Sequence, residues 1–183
     1  VVTVARGQFG PAGEFEIPRS LPAEDGAAYR AYVARYLDYF PEGCLSGQRV
    51  LVYEHSSVAA RAMTEIFAGL GADVIRRGYS EAFLPVDTEA VRPEDEQLAL
   101  DWAASERFDL IVSADGDGDR PLVGDERGRW LRGDVVGVLT AHFLDADSVV
   151  TPVSSNTLVE RCGWFARVTR TRIGSPHVIA AMI

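Results

Sequence analysis

Lysine is absent from this 183-residue sequence, in which all 18 basic residues are arginines. A P-loop uses a lysine to reach nucleotide phosphates, and pyridoxal phosphate is anchored as a Schiff base on a lysine, so both kinds of site are excluded. Long apolar runs are absent too: the most apolar window, residues 135–144, contains His142 and is shorter than the ~18 residues that cross a bilayer. The N-terminal residues also lack the basic and apolar regions of a signal peptide.

Cysteine is scarce, and net positive charge is missing. Cys44 and Cys162 lie far apart and outside any metal-ligand spacing, so we expect buried or half-buried thiols in a reducing compartment. The net charge of −9 disfavours an electrostatic grip on nucleic acid or on anionic lipid. The composition therefore predicts a soluble, cytoplasmic protein with no nucleic-acid or membrane partner.

The chain shows a regular alternation of strand and helix patterns. At about 150 residues per domain, its length predicts one domain or one and a fraction. Strands are predicted at 49–53, 72–76, 109–113, 148–153 and 165–169, with helices at 58–70, 93–107 and 134–144 between them. Residues 55–57 are predicted to cap the helix 58–70, and Asp134 is predicted to cap the helix 134–144. This alternation predicts an α/β fold with a mixed, largely parallel sheet flanked by helices, and a hairpin after residue 120 as the seam between two units.

A run of alternating aspartates and glycines follows the predicted strand 109–113. Because residues two apart share a side of an extended segment, Asp115, Asp117 and Asp119 can converge, and the glycines between them let the backbone curl around a small ligand. Three crowded carboxylates repel one another unless a cation lies among them, and an all-oxygen donor set suits Mg²⁺ or Ca²⁺. Ligands of open α/β sheets bind where strands end, which favours a metal site here over a solvated acidic turn.

Two other kinds of metal loop have a related spacing. An EF-hand would place Glu126 at its twelfth position, but its sixth position requires glycine and here holds Arg120, followed by Pro121. The Asp-x-Asp loop of a glycosyltransferase, which holds a nucleotide diphosphate through a metal, agrees better with the sequence and stays an alternative.

Arg120 directly follows the three aspartates and is the candidate catalytic residue. Its permanently charged guanidinium can reach a phosphate that the metal also contacts, and a metal with an arginine is the usual electrostatic arrangement around a transferring phosphoryl group. The alternative is a structural salt bridge from Arg120 to one of the aspartates.

The motifs, taken in order, resemble the α-D-phosphohexomutase family, the phosphoglucomutase/phosphomannomutase enzymes. The magnesium loop of that family, Asp-Gly-Asp-x-Asp-Arg, is similar to residues 115–120. Further similar stretches are 70–75, 123–128 with 132–134, 154–158 and 171–179. The resemblance covers most of residues 26–183.

The resemblance also implies a division of the chain. Family members have four domains, and this sequence resembles the second domain over 26–130 and the first part of the third over 131–183. Residues 1–25, with scattered glycine and proline and no periodicity, are predicted to be a linker or the tail of a preceding domain. We therefore expect one complete domain, part of a second similar domain, and a chain that is a piece of a longer protein.

The activity implied by the resemblance is a reversible exchange of hexose 1-phosphate and hexose 6-phosphate, with glucose or mannose as the sugar. A phosphoserine donates its phosphoryl group, and a bisphosphorylated sugar is the intermediate. In such an enzyme Mg²⁺ would be held by the three aspartates and the phosphoserine, and Arg120 would contact the phosphoserine or the sugar phosphate. Arg172 and Gly174 would bind substrate.

The sequence also departs from the family. The serine loop Ser-His-Asn-Pro is absent, so the phosphoserine is expected to come from a missing first domain. Arg172 stands where many relatives carry a lysine; it can hold a phosphate bidentately but is a poor proton carrier. The 183 residues alone are therefore predicted to be inactive, and a non-catalytic metal-binding remnant is the second alternative.

Overall fold

The computed structural model describes residues 9–15 and 23–183. Within these ranges the chain forms six helices and six strands, which alternate except that β4 follows β3 directly. The helices are α1 Ala27–Tyr39, α2 Ala60–Gly69, α3 Pro93–Ser105, α4 Gly133–Phe143, α5 Leu158–Arg161 and α6 Ser175–Met182. The strands are β1 Arg49–Tyr53, β2 Asp73–Arg77, β3 Leu110–Ala114, β4 Pro121–Gly124, β5 Ser148–Pro152 and β6 Arg167–Thr171.

The first sheet has four strands in the order β2-β1-β3-β4. Strand β1 pairs in parallel with β2 and with β3, whereas β4 runs antiparallel to β3. The predicted α/β class with a mixed, largely parallel sheet is confirmed. The predicted hairpin differs in detail, because β4 pairs mainly with β3 and meets the 130–131 segment through an isolated bridge between Gly124 and Trp130.

The core lies on both faces of this sheet because successive residues of a strand point to opposite sides. On one face, Leu51 and Tyr53 of β1 pack in a buried cluster with Ala99 of α3. On the other face, Val50 and Val52 contact apolar side chains of α2, which include Met63 and Phe67. Burial on both faces explains why β1 is a continuous apolar run rather than an alternating one.

The second sheet contains β5 and β6, which pair in parallel from Ser148 with Arg167 to Pro152 with Thr171. The predicted last strand at 165–169 therefore begins and ends two residues too early.

Asp134 was expected to cap α4, but the cap position is Arg132 and makes no side-chain cap bond. The Asp134 carboxylate instead accepts a hydrogen bond from the backbone N–H of Asn156 at 2.7 Å.

The predicted linker over 1–25 is described only in part. Residues 1–8 and 16–22 lie outside the described residues, while Phe9 and Phe15 form an antiparallel bridge.

The two cysteines differ in their exposure to solvent. Cys162 is half-buried as expected, but Cys44 is exposed, which corrects the prediction for that residue. Cys44 lies in the turn between α1 and β1 and belongs to neither of the two buried apolar clusters of the sheet.

The strand order places a reversal of direction at β1. The chain passes from β1 to β2 on one side and then crosses to β3 on the other side of β1. In open α/β sheets such a switch point leaves a crevice at the carboxyl ends of the two strands, where ligands bind. The loops that follow β1 and β3 therefore border the same crevice.

Gly128 provides a stability test of how the turn after β4 packs on α3. Its φ is +73°, and a Cβ at this position would lie 2.2 Å from the carbonyl oxygen of Ala99. We expect Gly128→Ala to lower the free energy of unfolding by more than the ~1 kcal/mol of a left-handed backbone alone, because the helix backbone cannot yield. Urea unfolding measures this.

Gly133→Ala is the matched control, since a Cβ added at Gly133 would have no heavy atom within 4 Å and the φ of this residue is not left-handed. Gly133→Ala should leave the free energy of unfolding unchanged or raise it slightly. Equal stability of the two variants would contradict the packing of the turn on α3.

Candidate metal centre

Three carboxylates converge in the loop that follows β3. Asp115, Asp117 and Asp119 each offer one oxygen, and these oxygens all lie within 4.8 Å of one another. Asp115 is only 3% exposed, while the other two face solvent. The convergence predicted from the spacing is confirmed for these side chains.

Arg120 lies against this group of carboxylates. Its Nε donates to Oδ2 of Asp115 at 2.9 Å, and its backbone N–H donates to Oδ1 of the same residue at 3.2 Å. The guanidinium also lies 3.4 Å from Asp119 and 3.5 Å from Glu89, and the side chain is half exposed. The salt bridge considered as an alternative for Arg120 is therefore present, and the exposed part of the guanidinium stays open to a ligand.

Opposing effects act on the two carboxyls nearest Arg120. Burial acts to raise the pKa of Asp115, but the hydrogen bonds from the Arg120 backbone and guanidinium outweigh it and lower that pKa. The pKa of Asp119 is raised, first by its hydrogen bond with Asp115 and then by the charge of Asp117. Without a cation, the repulsion among the three carboxylates therefore makes full ionisation of the loop unfavourable.

The backbone of the loop is fixed by close contacts as well. Gly118 has φ +77°, and a Cβ there would lie 2.8 Å from the Cβ of Ala59, so the loop approaches the start of α2 closely. From the connection between β1 and α2, the Ser57 hydroxyl donates to the carbonyl oxygen of Asp115 at 2.7 Å. His55 lies 2.7 Å from the carbonyl oxygen of Ala114 through Nε2.

The cap predicted at residues 55–57 is present only in part: the Ser57 hydroxyl accepts from the backbone N–H of Ala59 at 3.3 Å, but His55 and Ser57 also contact the aspartate loop. Helix α2 begins at Ala60, and its cap residue Ala59 makes no side-chain cap bond. Sequence reasoning therefore missed the role of His55 and Ser57 beside the aspartates. The signal that could have found it is the parallel pairing of β1 with β3, which brings the ends of both strands to one edge.

An open cleft borders the loop on its outer side. Apolar side chains line it beside Asp115, Asp117 and Arg120: Val58, Phe83, Pro85 and Val86. Phe83 is 71% exposed, so this cleft presents an aromatic face next to charged groups.

Arg172 and Gly174 lie elsewhere in the fold. Arg172 directly follows β6, and Gly174 precedes α6 with φ +122°, a conformation that favours glycine. Both are exposed at the carboxyl edge of the second sheet. The structure thus groups the three aspartates with Arg120 and places the two predicted substrate-binding residues on a different sheet.

Comparison with known proteins identifies the family. No protein-family model matches the chain. A phosphomannomutase from Salmonella muenchen is 47% identical over 154 residues, which cover 84% of this chain and 32% of that protein. A phosphomannomutase from Sinorhizobium fredii is 46% identical over 151 residues, which cover 82% of this chain and 32% of that protein. The chain belongs to the α-D-phosphohexomutase family.

The chain spans about a third of the length of the curated relatives it matches. The solved structure of a phosphoglucomutase/phosphomannomutase family protein from Burkholderia thailandensis matches with a TM-score of 0.67, at 19% identity, over 84% of this chain and 35% of that one. That likeness supports the fold. Among the described residues, no helix combines the length and apolar character needed to cross a membrane.

The aspartate loop of this chain suits a small divalent cation. All three donors are carboxylates, and neighbouring ligand oxygens of Mg²⁺ lie about 3 Å apart because each metal–oxygen bond is about 2.0–2.1 Å. Oxygens already within 4.8 Å need only a small adjustment to reach that spacing. A cation there would also relieve the repulsion that raises the pKa of Asp119.

Asp119→Asn tests this strain in the metal-free protein. Because the pKa of Asp119 is raised above its ordinary value of 3.8, its contribution to stability is present below that pH and is lost as the pH rises through the raised pKa. At pH 7 with a chelator, removing this charge should raise the urea midpoint, and the gain should shrink as the pH falls towards 3.8.

Asp38→Asn, at an exposed position of α1, is the control for removal of one negative charge. It should change the midpoint little at either pH. A pH-independent effect of Asp119→Asn would contradict the crowding of the three carboxylates.

Proposed function

We propose that this chain supplies the magnesium-binding loop of a phosphohexomutase that interconverts hexose 1-phosphate and hexose 6-phosphate. Glucose and mannose phosphates are the proposed substrates, with a bisphosphorylated intermediate. The observation that carries the proposal is the convergence of Asp115, Asp117 and Asp119 at the switch point of the sheet in a chain of this family. The phosphomannomutases at 46–47% identity support the same reaction class.

The three aspartates are the proposed ligands of Mg²⁺. When bound, the cation supplies electrostatic stabilisation of negative charge on a phosphoryl group. The buried Asp115 is oriented by Arg120 and stays ionised because those hydrogen bonds lower its pKa. The exposed Asp117 and Asp119 complete a rim of oxygens that faces solvent, where a substrate can approach.

Arg120 is proposed to act twice at this site. Nε of its guanidinium holds Asp115, while Nη1 lies 3.5 Å from the exposed Glu89, and the side chain as a whole is half exposed. Arginine presents five donors in a planar fork, so the Nη groups can hold a phosphate in place of the solvent-exposed Glu89 while Nε stays paired with Asp115. That arrangement would place a positive charge beside the phosphoryl group.

Arg172 and Gly174 are proposed to bind the phosphorylated substrate at the second sheet. Gly174 is followed by the N-terminus of α6, where backbone N–H groups favour anions. Arg172, three residues before α6, is exposed and can contact the same anion. The phosphoserine would come from a domain outside this chain, since no Ser-His-Asn-Pro loop occurs in its sequence.

Asp117→Asn in the longer protein that contains this chain tests the metal ligands. We expect mutase activity to fall by roughly 10²-fold or more, because an exposed carboxylate is lost where charge must be balanced. Folding should change little, since the side chain faces solvent. Turnover of glucose 1-phosphate and mannose 1-phosphate, with a thermal melt of each protein, measures both.

Asp38→Asn serves again as the charge control and should keep full activity. Activity of Asp117→Asn equal to that of the unaltered protein would refute the ligand assignment. Metal binding with no turnover of either sugar phosphate by the longer protein would instead support the non-catalytic remnant.

The 183-residue chain by itself is expected to show no mutase turnover, because it contains no serine loop of the family type. The assay is the same, run with added hexose bisphosphate. Detectable turnover that is abolished by Asp117→Asn would show that the chain holds its own phosphoryl acceptor.

A further inference from the structure

The connection between β1 and α2 contacts three successive carbonyl groups of the aspartate loop. His55 Nε2 lies 2.7 Å from the carbonyl oxygen of Ala114, and the Ser57 hydroxyl donates to that of Asp115 at 2.7 Å. The backbone N–H of Val58 donates to the carbonyl oxygen of Gly116 at 3.1 Å. Each peptide group from Ala114 to Gly116 is therefore held by a donor from one short segment.

His55 makes this contact from a strained backbone conformation. The residue is 1% exposed and has φ +31°, a left-handed conformation that is unfavourable for a residue with a Cβ. Because a carbonyl oxygen can only accept, Nε2 carries the proton and donates. Nδ1 has no hydrogen-bond partner among the described residues, so the contact with Ala114 is the polar interaction that orients the ring.

Ser57 is oriented in the same way from the other side. Its hydroxyl accepts a hydrogen bond from the backbone N–H of Ala59 at 3.3 Å while it donates to Asp115. The residue is 8% exposed, so water does not compete freely for this contact. The hydroxyl hydrogen is thus directed at the loop by the start of the following helix.

We propose that His55, Ser57 and Val58 form a carbonyl clamp that holds the aspartate loop in its metal-binding shape before the cation arrives. The inference rests on the proposed metal-binding function of Asp115, Asp117 and Asp119. The carboxylates repel one another, so an unrestrained loop would relax and separate them. Fixing three consecutive peptide planes opposes this relaxation and lowers the conformational cost of binding.

The clamp residues are positioning residues, because they contact backbone carbonyls and not the proposed ligand oxygens. Removal of a hydrogen bond to a metal-ligating side chain lowers metal affinity by about 10- to 100-fold, and we expect the lower end of that range here because the clamp acts on the ligands through their backbone. A merely structural role would lower stability and leave the affinity of the folded protein unchanged. Metal affinity is therefore the readout that separates the two.

Ser57→Ala and Ser57→Thr form the test pair, with Mn²⁺ as the probe. Free Mn²⁺ is measured by electron paramagnetic resonance during titration of the purified protein, and unfolding is followed in parallel by a thermal melt. Ser57→Ala should weaken Mn²⁺ binding by about tenfold, and Ser57→Thr should restore it because threonine keeps the hydroxyl. The melt verifies that each variant is folded at the temperature of the titration.

Ile75→Val is the stability-matched control. Ile75 is buried in β2, away from the loop, and loss of one methylene lowers stability by about as much as loss of one hydrogen bond. It should bind Mn²⁺ like the unaltered protein. If Ser57→Ala does not fold, His55→Asn replaces it, since asparagine tolerates a left-handed backbone but is too short to reach Ala114.

The outcomes separate the clamp from the function on which it rests. Weak or absent binding by the unaltered protein, equal to that of Asp117→Asn, would overturn the proposed metal site and the clamp with it. Normal binding by the unaltered protein, with equal affinity in Ser57→Ala, would overturn the clamp alone. Weakened binding in Ser57→Ala that threonine restores, with Ile75→Val unaffected, supports the clamp.

Discussion

The parallel pairing of β1 with β3, in register from Val50 with Leu110 to Val52 with Val112, fixes where the two loops of the candidate site begin. Both strands are buried on both faces, so a shift in register would expose apolar side chains and is strongly disfavoured. The site depends on this pairing because the aspartates and the groups that hold their backbone lie far apart in the chain. The pairing of the two strands therefore determines where the aspartate loop lies relative to residues 55–58.

The electrostatic character of the loop follows from that position. A buried carboxylate is tolerated when charged donors satisfy it, and Asp115 receives both the backbone N–H and the guanidinium of Arg120. Asp117 and Asp119 face solvent, and Asp119 lies 3.4 Å from the Arg120 guanidinium. The loop therefore divides into one buried carboxylate satisfied by the protein and two exposed carboxylates, an asymmetry that agrees with the proposed binding of an external cation.

The fold class and the convergence of the three aspartates could be predicted from the sequence, because both depend on patterns of neighbouring residues. The apolar run of β1, the alternation of strands with helices and the two-residue spacing of the aspartates each depend on neighbours along the chain, so the fold class and the convergence of the three carboxylates were accessible. The role of Ser57 was not, because its partner Asp115 lies 58 residues away and the contact exists only once β1 and β3 pair. Asp134 was misassigned for the same reason, since its partner Asn156 lies 22 residues away.

The left-handed backbone at His55 shows how local strain and the positioning of the aspartate loop are linked in this fold. Glycine would relieve the strain at φ +31°, but it has no side chain to donate to the carbonyl oxygen of Ala114. The strain is accepted where the sheet core can compensate for it, with Tyr53, two residues before His55, buried and its hydroxyl bonded to Asp95 at 2.8 Å. The buried end of β1 at Tyr53 therefore lies next to the strained His55, which in turn contacts the aspartate loop. The rigid packing of the strand end compensates for the strain at His55 and for the repulsion between the carboxylates.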